Sequence, residues 1–235
     1  MMIETPLFAL MITLVVYLAA SRLYSAVRSF LLHPVLVTVA VLIGILTLIG
    51  IDYEVYFRGA WPVHFLLGPA VVALGMPLYD QLRLLRKEMP AILASTAFGS
   101  IVGVVSVTVP LAMMKVPHEI TASLAPKSVT TPIAIVLSEG MGGVPSLTAS
   151  VVVVTGILGA VLGPVLLRTF GIVSGTSFGL AMGASSHGIG TARAVEKGSL
   201  EGAASGLALC LNGLFTSICA PPVVNFIAEL SGFGG

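Results

Sequence analysis

Two short stretches concentrate the polar chemistry of this 235-residue chain. The first, Pro126-Lys127-Ser128-Val129-Thr130-Thr131-Pro132, sets a cation and three hydroxyls inside an otherwise apolar run. Pro132 has no backbone N–H to offer the carbonyl of Ser128 four residues earlier, and its ring pushes Thr131 away from α geometry. A helix is predicted to break here, with Lys127, Thr130 and Thr131 on one face. The second stretch is Ser185-Ser186-His187-Gly188-Ile189-Gly190-Thr191-Ala192-Arg193. Its glycines permit unwinding and close backbone approach, and Ser186, Gly190 and Arg193 recur at i, i+4 and i+7.

Both stretches suit an anion. Lys127, a bidentate Arg193, the hydroxyls of Thr130, Thr131, Ser186 and Thr191, and exposed amides at a half-helix N-terminus together make a carboxylate site. The unperturbed pKa of histidine lies near neutrality, so His187 is the proton-coupling candidate, with Glu139 the nearest carboxylate. An ammonium inside a membrane span costs roughly 2.5 to 3.5 kcal/mol, which marks either function or a paired partner. The plainer alternatives are a Lys127 that snorkels to the outer surface, a His187 that only packs, and an Arg193 that anchors a boundary.

Other chemistries find little footing. His33, His64, His118 and His187 show no zinc spacing, and no HExxH or thiolate cluster occurs. The only aspartates, Asp52 and Asp80, fall in predicted loops. No metal or cofactor is expected, and no enzyme, because nothing fixes a Ser–Lys dyad from Ser128 or Ser186 with Lys127. Cys210 and Cys219 sit on roughly opposite faces of one helix and read as reduced packing residues.

The elements that position these stretches follow from composition. Hydrophobic residues make up 57% of the chain and charged residues 9%, with a mean hydropathy of +1.08. Soluble domains carry about 25% charge, so this chain needs lipid as solvent. A net charge of +1 offers no surface for nucleic acid. Uncharged runs from Thr5 to Ser21, Ser29 to Ile51, Gly59 to Tyr79, Met89 to Met114, Gly140 to Leu167 and Gly202 to Ala228 are span candidates. The segments Ile120 to Ser138 and Thr169 to Ala192 bring the expectation to eight spans in an all-α membrane protein. The first run resembles a signal peptide, but Glu4 and the lack of a preceding Lys or Arg favour a retained helix.

Arg22 and Arg28, then Arg83, Arg86 and Lys87, then Arg193 and Lys197 mark cytoplasmic loops, which places both termini outside. One membrane domain, 1–235, is expected, with two N-terminal spans in 1–58 and a repeat-containing core in 59–235. Pro69, Pro77, Pro90 and Pro110 are matched about 55 residues on by Pro126, Pro132, Pro145 and Pro164, and a weaker third copy runs from Ser186 to Pro221. Each copy is a broken helix followed by a long apolar one; the loop charges give parallel copies, and one re-entrant segment would reverse a copy into the inverted arrangement common in transporters. Gly175, Gly179 and Gly183, like Gly198, Gly202 and Gly206, form smooth faces for close packing.

Four strings carry a family resemblance: Phe65-Leu66-Leu67-Gly68-Pro69-Ala70, Ser123 through Ala134, Ser186 through Ala194, and Glu201 through Ala208. They resemble the signature segments of LrgB/CidB/YohK-type proteins, and the likeness runs over nearly the whole chain. The resemblance implies a bacterial inner-membrane protein working beside a small LrgA/CidA-type membrane partner, with a homo-oligomer expected. It also implies kinship with a plant chloroplast carrier of glycolate and glycerate and with bacterial proteins linked to pyruvate uptake. A competing description of the family is an antiholin-like regulator of murein hydrolase export and lysis. Lys127, Ser128, Thr130, Thr131, Pro132, Ser186, His187, Gly188, Gly190, Thr191 and Arg193 are the expected binding residues for a 2-hydroxy or 2-keto monocarboxylate of glycolate, glycerate, lactate or pyruvate type.

Overall fold

The computed structural model describes residues 6–27, 32, 34–66, 69, 72–73 and 75–230. Among them are nine α-helices and no strand. The chain divides into two compact units, Met1–Ala73 and Leu74–Gly235. In the first, α1 (Pro6–Val27), α2 (Pro34–Ile49) and α3 (Tyr53–Phe65) pack together, and Thr13 Oγ1 lies 2.8 Å from the Tyr56 hydroxyl. His33, Glu4 and parts of the Phe65–Ala70 string and the Gly59–Tyr79 run lie outside the described residues.

The second unit begins with α4 (Gly75–Met113), a single helix of 39 residues. At 1.5 Å per residue it is about 58 Å long, nearly twice a hydrocarbon core. Asp80 and the Arg83–Glu88 stretch, expected in a loop, are helical. Leu85 and Ile92, seven residues apart on one face, are buried against Ala203 and Ala204 and hold that polar end in register. Then come α5 (His118–Leu124), α6 (Thr131–Gly140), α7 (Pro145–Thr169), α8 (Gly175–Lys197) and α9 (Ser199–Leu230).

Neither expected span with polar residues inside is one straight helix. His118 Nε2 lies 2.9 Å from the carbonyl of Met141, although 23 residues separate them. A straight helix would put these residues about 35 Å apart, so α5 and α6 fold back as a hairpin. Gly142, at φ +79, makes the turn at its base, with Gly143 N–H donating to Ser138 O at 2.8 Å. Helix α8 reverses as well. Ser186 (φ −132°, ψ 15°) and His187 (φ 41°, ψ −132°) are not helical. The Lys197 ammonium lies 3.6 Å over the Phe178 ring, and Met182 packs against Ala194.

The two hairpins enter from opposite ends of α7. Thr148 near the start of α7 donates to Ser138 Oγ at 2.7 Å, whereas Met182 meets Gly163 and Phe178 packs by Leu167. The expected parallel relation of the broken elements is therefore corrected: a reversal inside each segment changes the side from which the next helix starts.

Among the described residues, four helices are long and apolar enough to cross a membrane: Leu7–Val27, Tyr79–Met113, Pro145–Thr169 and Ser199–Leu230. At 16 residues α2 is shorter. The protein is a multi-pass helical membrane protein, and the expected eight spans are not reached among the described residues.

Candidate functional site

Hairpin tips meet at the middle of α7. Val129 of the first tip packs on Val152, whose carbonyl also accepts from His187 Nε2 at 2.9 Å. The first tip is built by turns in place of helix: Lys127 N–H donates to Leu124 O and Val129 N–H to Pro126 O, each at 3.2 Å. Thr130 is extended, and Pro132 stands in the first turn of α6, where its missing N–H leaves no helical bond unmade. The break thus lies at residues 125–130, just before the proline that starts the next helix.

Two contacts fix this tip to its surroundings. The Lys127 ammonium donates to the carbonyl of Gly103 on α4 at 3.0 Å. The Ser128 carbonyl accepts from Asn212 Nδ2 on α9 at 3.1 Å. Asn212 Oδ1 in turn accepts from Ser100 Oγ of α4 at 2.7 Å. Lys127 is half-buried, and among the described residues no carboxylate lies within salt-bridge distance of it.

The second tip depends on small neighbours. His187 has a backbone that L residues rarely adopt, a state that costs about 1–3 kcal/mol and persists only where the surroundings over-determine it. Here they do. Thr191 Oγ1 donates to His187 O at 2.9 Å, and Ser205 Oγ of α9 donates to Thr191 Oγ1 at 3.0 Å. A side chain at Gly156 would lie 2.6 Å from His187 Nε2, and one at Gly159 would overlap Ser186 Oγ. Gly179 and Gly183 likewise face backbone of α9 at Glu201 and Ser205, so this ridge packs.

Between α4, α7 and the first arm of α8 runs a cavity of about 840 Å³. Its inner end holds Gly103, Lys127, Ser128, Ser185 and Ser186; its walls are mostly apolar, among them Val102, Leu162 and Leu180; and it extends to Leu167 and Ser177 near the base of the second hairpin. The structure thus brings Lys127, Ser128 and Ser186 to one space. Thr130, Thr131 and Pro132 do not line it. His187 is buried and turned to α7, while Gly190 packs on the Met182 carbonyl and Gly188 has open space around it. Thr191 is buried in its own hydrogen bonds. Arg193 pairs with Glu196 at 2.5 Å on the surface, and Glu139 is exposed at the end of α6. No group of His, Cys, Asp or Glu among the described residues has a metal-binding arrangement.

Two residues escaped the sequence reading. Asn212 is 1% exposed in the middle of a charge-free span. Thr96 lines the cavity, and its hydroxyl oxygen is the one buried side-chain polar atom among the described residues with no hydrogen-bond partner. A mid-span asparagine is costly in hydrocarbon, and that signal was available.

Known proteins place the chain by sequence. It is 36% identical to the Bacillus subtilis protein YwbG, with 93% of this chain and 97% of that one covered. It is 31% identical to the antiholin-like protein LrgB of Bacillus mycoides, covering 95% and 97%. With the holin-like protein CidB of Staphylococcus epidermidis it shares 29% identity over 92% and 94%. No solved structure matches. Residues 13–226, which carry both hairpins and the cavity between them, match the LrgB-like family, and the chain belongs to it.

Proposed function

We propose that this protein carries a small 2-hydroxy or 2-keto monocarboxylate across the bacterial inner membrane by alternating access around the two hairpin tips. The observation that carries the reading is Lys127: a half-buried ammonium, facing a cavity, whose hydrogen-bond partner is a backbone carbonyl in place of a carboxylate. A desolvated cation without a counter-ion is a site for an anion. Ser128, Ser185 and Ser186 at the same end supply hydroxyls for the second oxygen of the acid. The broken-helix-plus-long-helix units, α5–α6 with α7 and α8 with α9, are then inverted copies, as in other carriers with discontinuous helices.

Orientation follows from the base of each hairpin. Arg83, Arg86, Lys87, Arg168, Arg193 and Lys197 belong to the end where α7 stops and the second hairpin begins; Lys115 belongs to the other. The cation-rich end is cytoplasmic. The cavity then opens inward, the C-terminus is periplasmic, and the N-terminus is periplasmic because Arg22 and Arg28 follow α1. A small LrgA/CidA-type partner and self-association complete the proposed assembly.

The names of the CidB and LrgB relatives fit regulation of lysis better than transport, and that is the second reading. Uptake of labelled acids into proteoliposomes, with and without the small partner, separates the two. The carrier reading expects uptake by the wild type and a loss of more than tenfold at low substrate in Lys127→Met, since stranding a buried charge costs about 2–5 kcal/mol. Absence of uptake by the wild type with its partner would sink the carrier. Normal uptake by Lys127→Met would sink the site.

A further inference from the structure

We infer that Asn212 is a positioning residue for the anion site, holding the first hairpin tip and the Lys127 head against α4. The inference rests on the reading of Lys127 given above. The tip residues make turns, so the carbonyl of Ser128 has no helical donor, and Pro132, four residues on, has no N–H to supply one. In a membrane interior such a carbonyl needs a protein partner. Asn212 Nδ2 is that partner at 3.1 Å.

The same amide reaches back to α4. Its Oδ1 accepts from Ser100 Oγ at 2.7 Å, with Thr216 Oγ1 at 3.5 Å. Ser100 and Gly103 are one turn apart, and Gly103 O is what holds the Lys127 ammonium. The tip therefore has two attachments to one stripe of α4: one through the Lys127 side chain, the other through Asn212 and the backbone next to Lys127. When an anion draws the ammonium off Gly103, the Asn212 attachment keeps the Lys127 backbone in place.

An uncharged amide donates and accepts at once. Leucine does neither. Ionised aspartate accepts only, and protonated aspartate reproduces both bonds. Around Asn212 at this level the titratable side chains are Lys127 on the first hairpin and His187 on the second, the latter bound to Val152 O; α4 presents Ser100 and Thr96.

The test compares wild type, Asn212→Leu and Asn212→Asp in proteoliposomes containing the small partner, with uptake scaled to folded protein. Asn212→Leu is expected to raise the half-saturating concentration of acid roughly tenfold, the order set by loss of the hydrogen bond that links Asn212 to the tip, with a smaller change in maximal rate. Asn212→Asp is expected to approach wild-type half-saturation at low pH and to lose it as pH rises. Lower protein yield with unchanged half-saturation and an unchanged pH profile would make Asn212 packing glue and overturn the inference.

A readout independent of transport accompanies it. With Lys87, Lys115 and Lys197 changed to Arg, reductive ¹³C-methylation reports on Lys127 by NMR. Asn212→Leu should shift and sharpen its methyl resonance. If that resonance is unmoved, Lys127 is not held through Asn212, whatever the wild type transports.

Discussion

The two hairpins reach the same level of the molecule by different means. The first is broken by prolines, brings a charge, and is tied by hydrogen bonds to α4 and α9. The second is broken by two residues with non-helical backbone, brings hydroxyls, and is seated on glycines of α7. The first tip is specified by polar bonds, and the second by shape together with the hydrogen bonds of His187 and Thr191. A charge change is therefore the disruptive substitution in the first, and added bulk in the second.

The widest-reaching test of that pairing is all-or-none. In a background with Cys210→Ser and Cys219→Ser, Glu119→Cys marks the base of the first hairpin and Ser199→Cys that of the second. Both positions are exposed. In intact cells an impermeant maleimide should label Glu119→Cys and should reach Ser199→Cys only after permeabilisation. Labelling of both from one side would end the opposed entry of the hairpins across the membrane, and with it the inverted copies.

Next in size is bulk at the second tip. Gly159→Val places a side chain where Ser186 Oγ now sits, so the tip must shift. Overpacking of this kind costs about 1–3 kcal/mol, and thermal unfolding in detergent should show a lowered midpoint. Uptake should fall further than stability explains, because Ser186 lines the cavity. Addition of the same bulk at Gly99, which has open space around it, should leave the unfolding midpoint in place. Equal midpoint shifts at the two glycines would remove the claim that the second tip is held by shape.

How much of this was legible beforehand depends on what hydropathy can see. Four long apolar helices stood out because length and charge-free composition suffice for them. The positions of both breaks were marked, by Pro126 and Pro132 and by His187-Gly188. The reversals were not, since an apolar segment of about 20 residues has the same hydropathy whether it runs straight or folds back. Long-range contacts decide that, such as His118 with Met141 and Lys197 with Phe178. Hydropathy does not mark Asn212, because one amide does not interrupt an otherwise apolar window.

Arg193 shows the same failure in a single residue, and its prediction is the smallest. Its assignment to the site came from the i, i+4, i+7 spacing of Ser186, Gly190 and Arg193, which presumes one continuous helix. The backbone leaves helical geometry at Ser186 and His187, so the phase is lost between the first member of that series and the rest. Ser186 stays at the tip, while Arg193 descends the second arm towards the base. There its side chain is 32% exposed and bonded to that of Glu196, which is 58% exposed. Exposed pairs of this kind contribute about 0–1 kcal/mol. Arg193→Gln should therefore leave the half-saturating concentration of any transported acid within roughly twofold, given that each 1.4 kcal/mol is a factor of ten. It should also leave the topology intact, because five other cations remain at that end. A tenfold loss of affinity at unchanged protein level would return Arg193 to the carboxylate, and would require the second arm of α8 to move towards the cavity during transport.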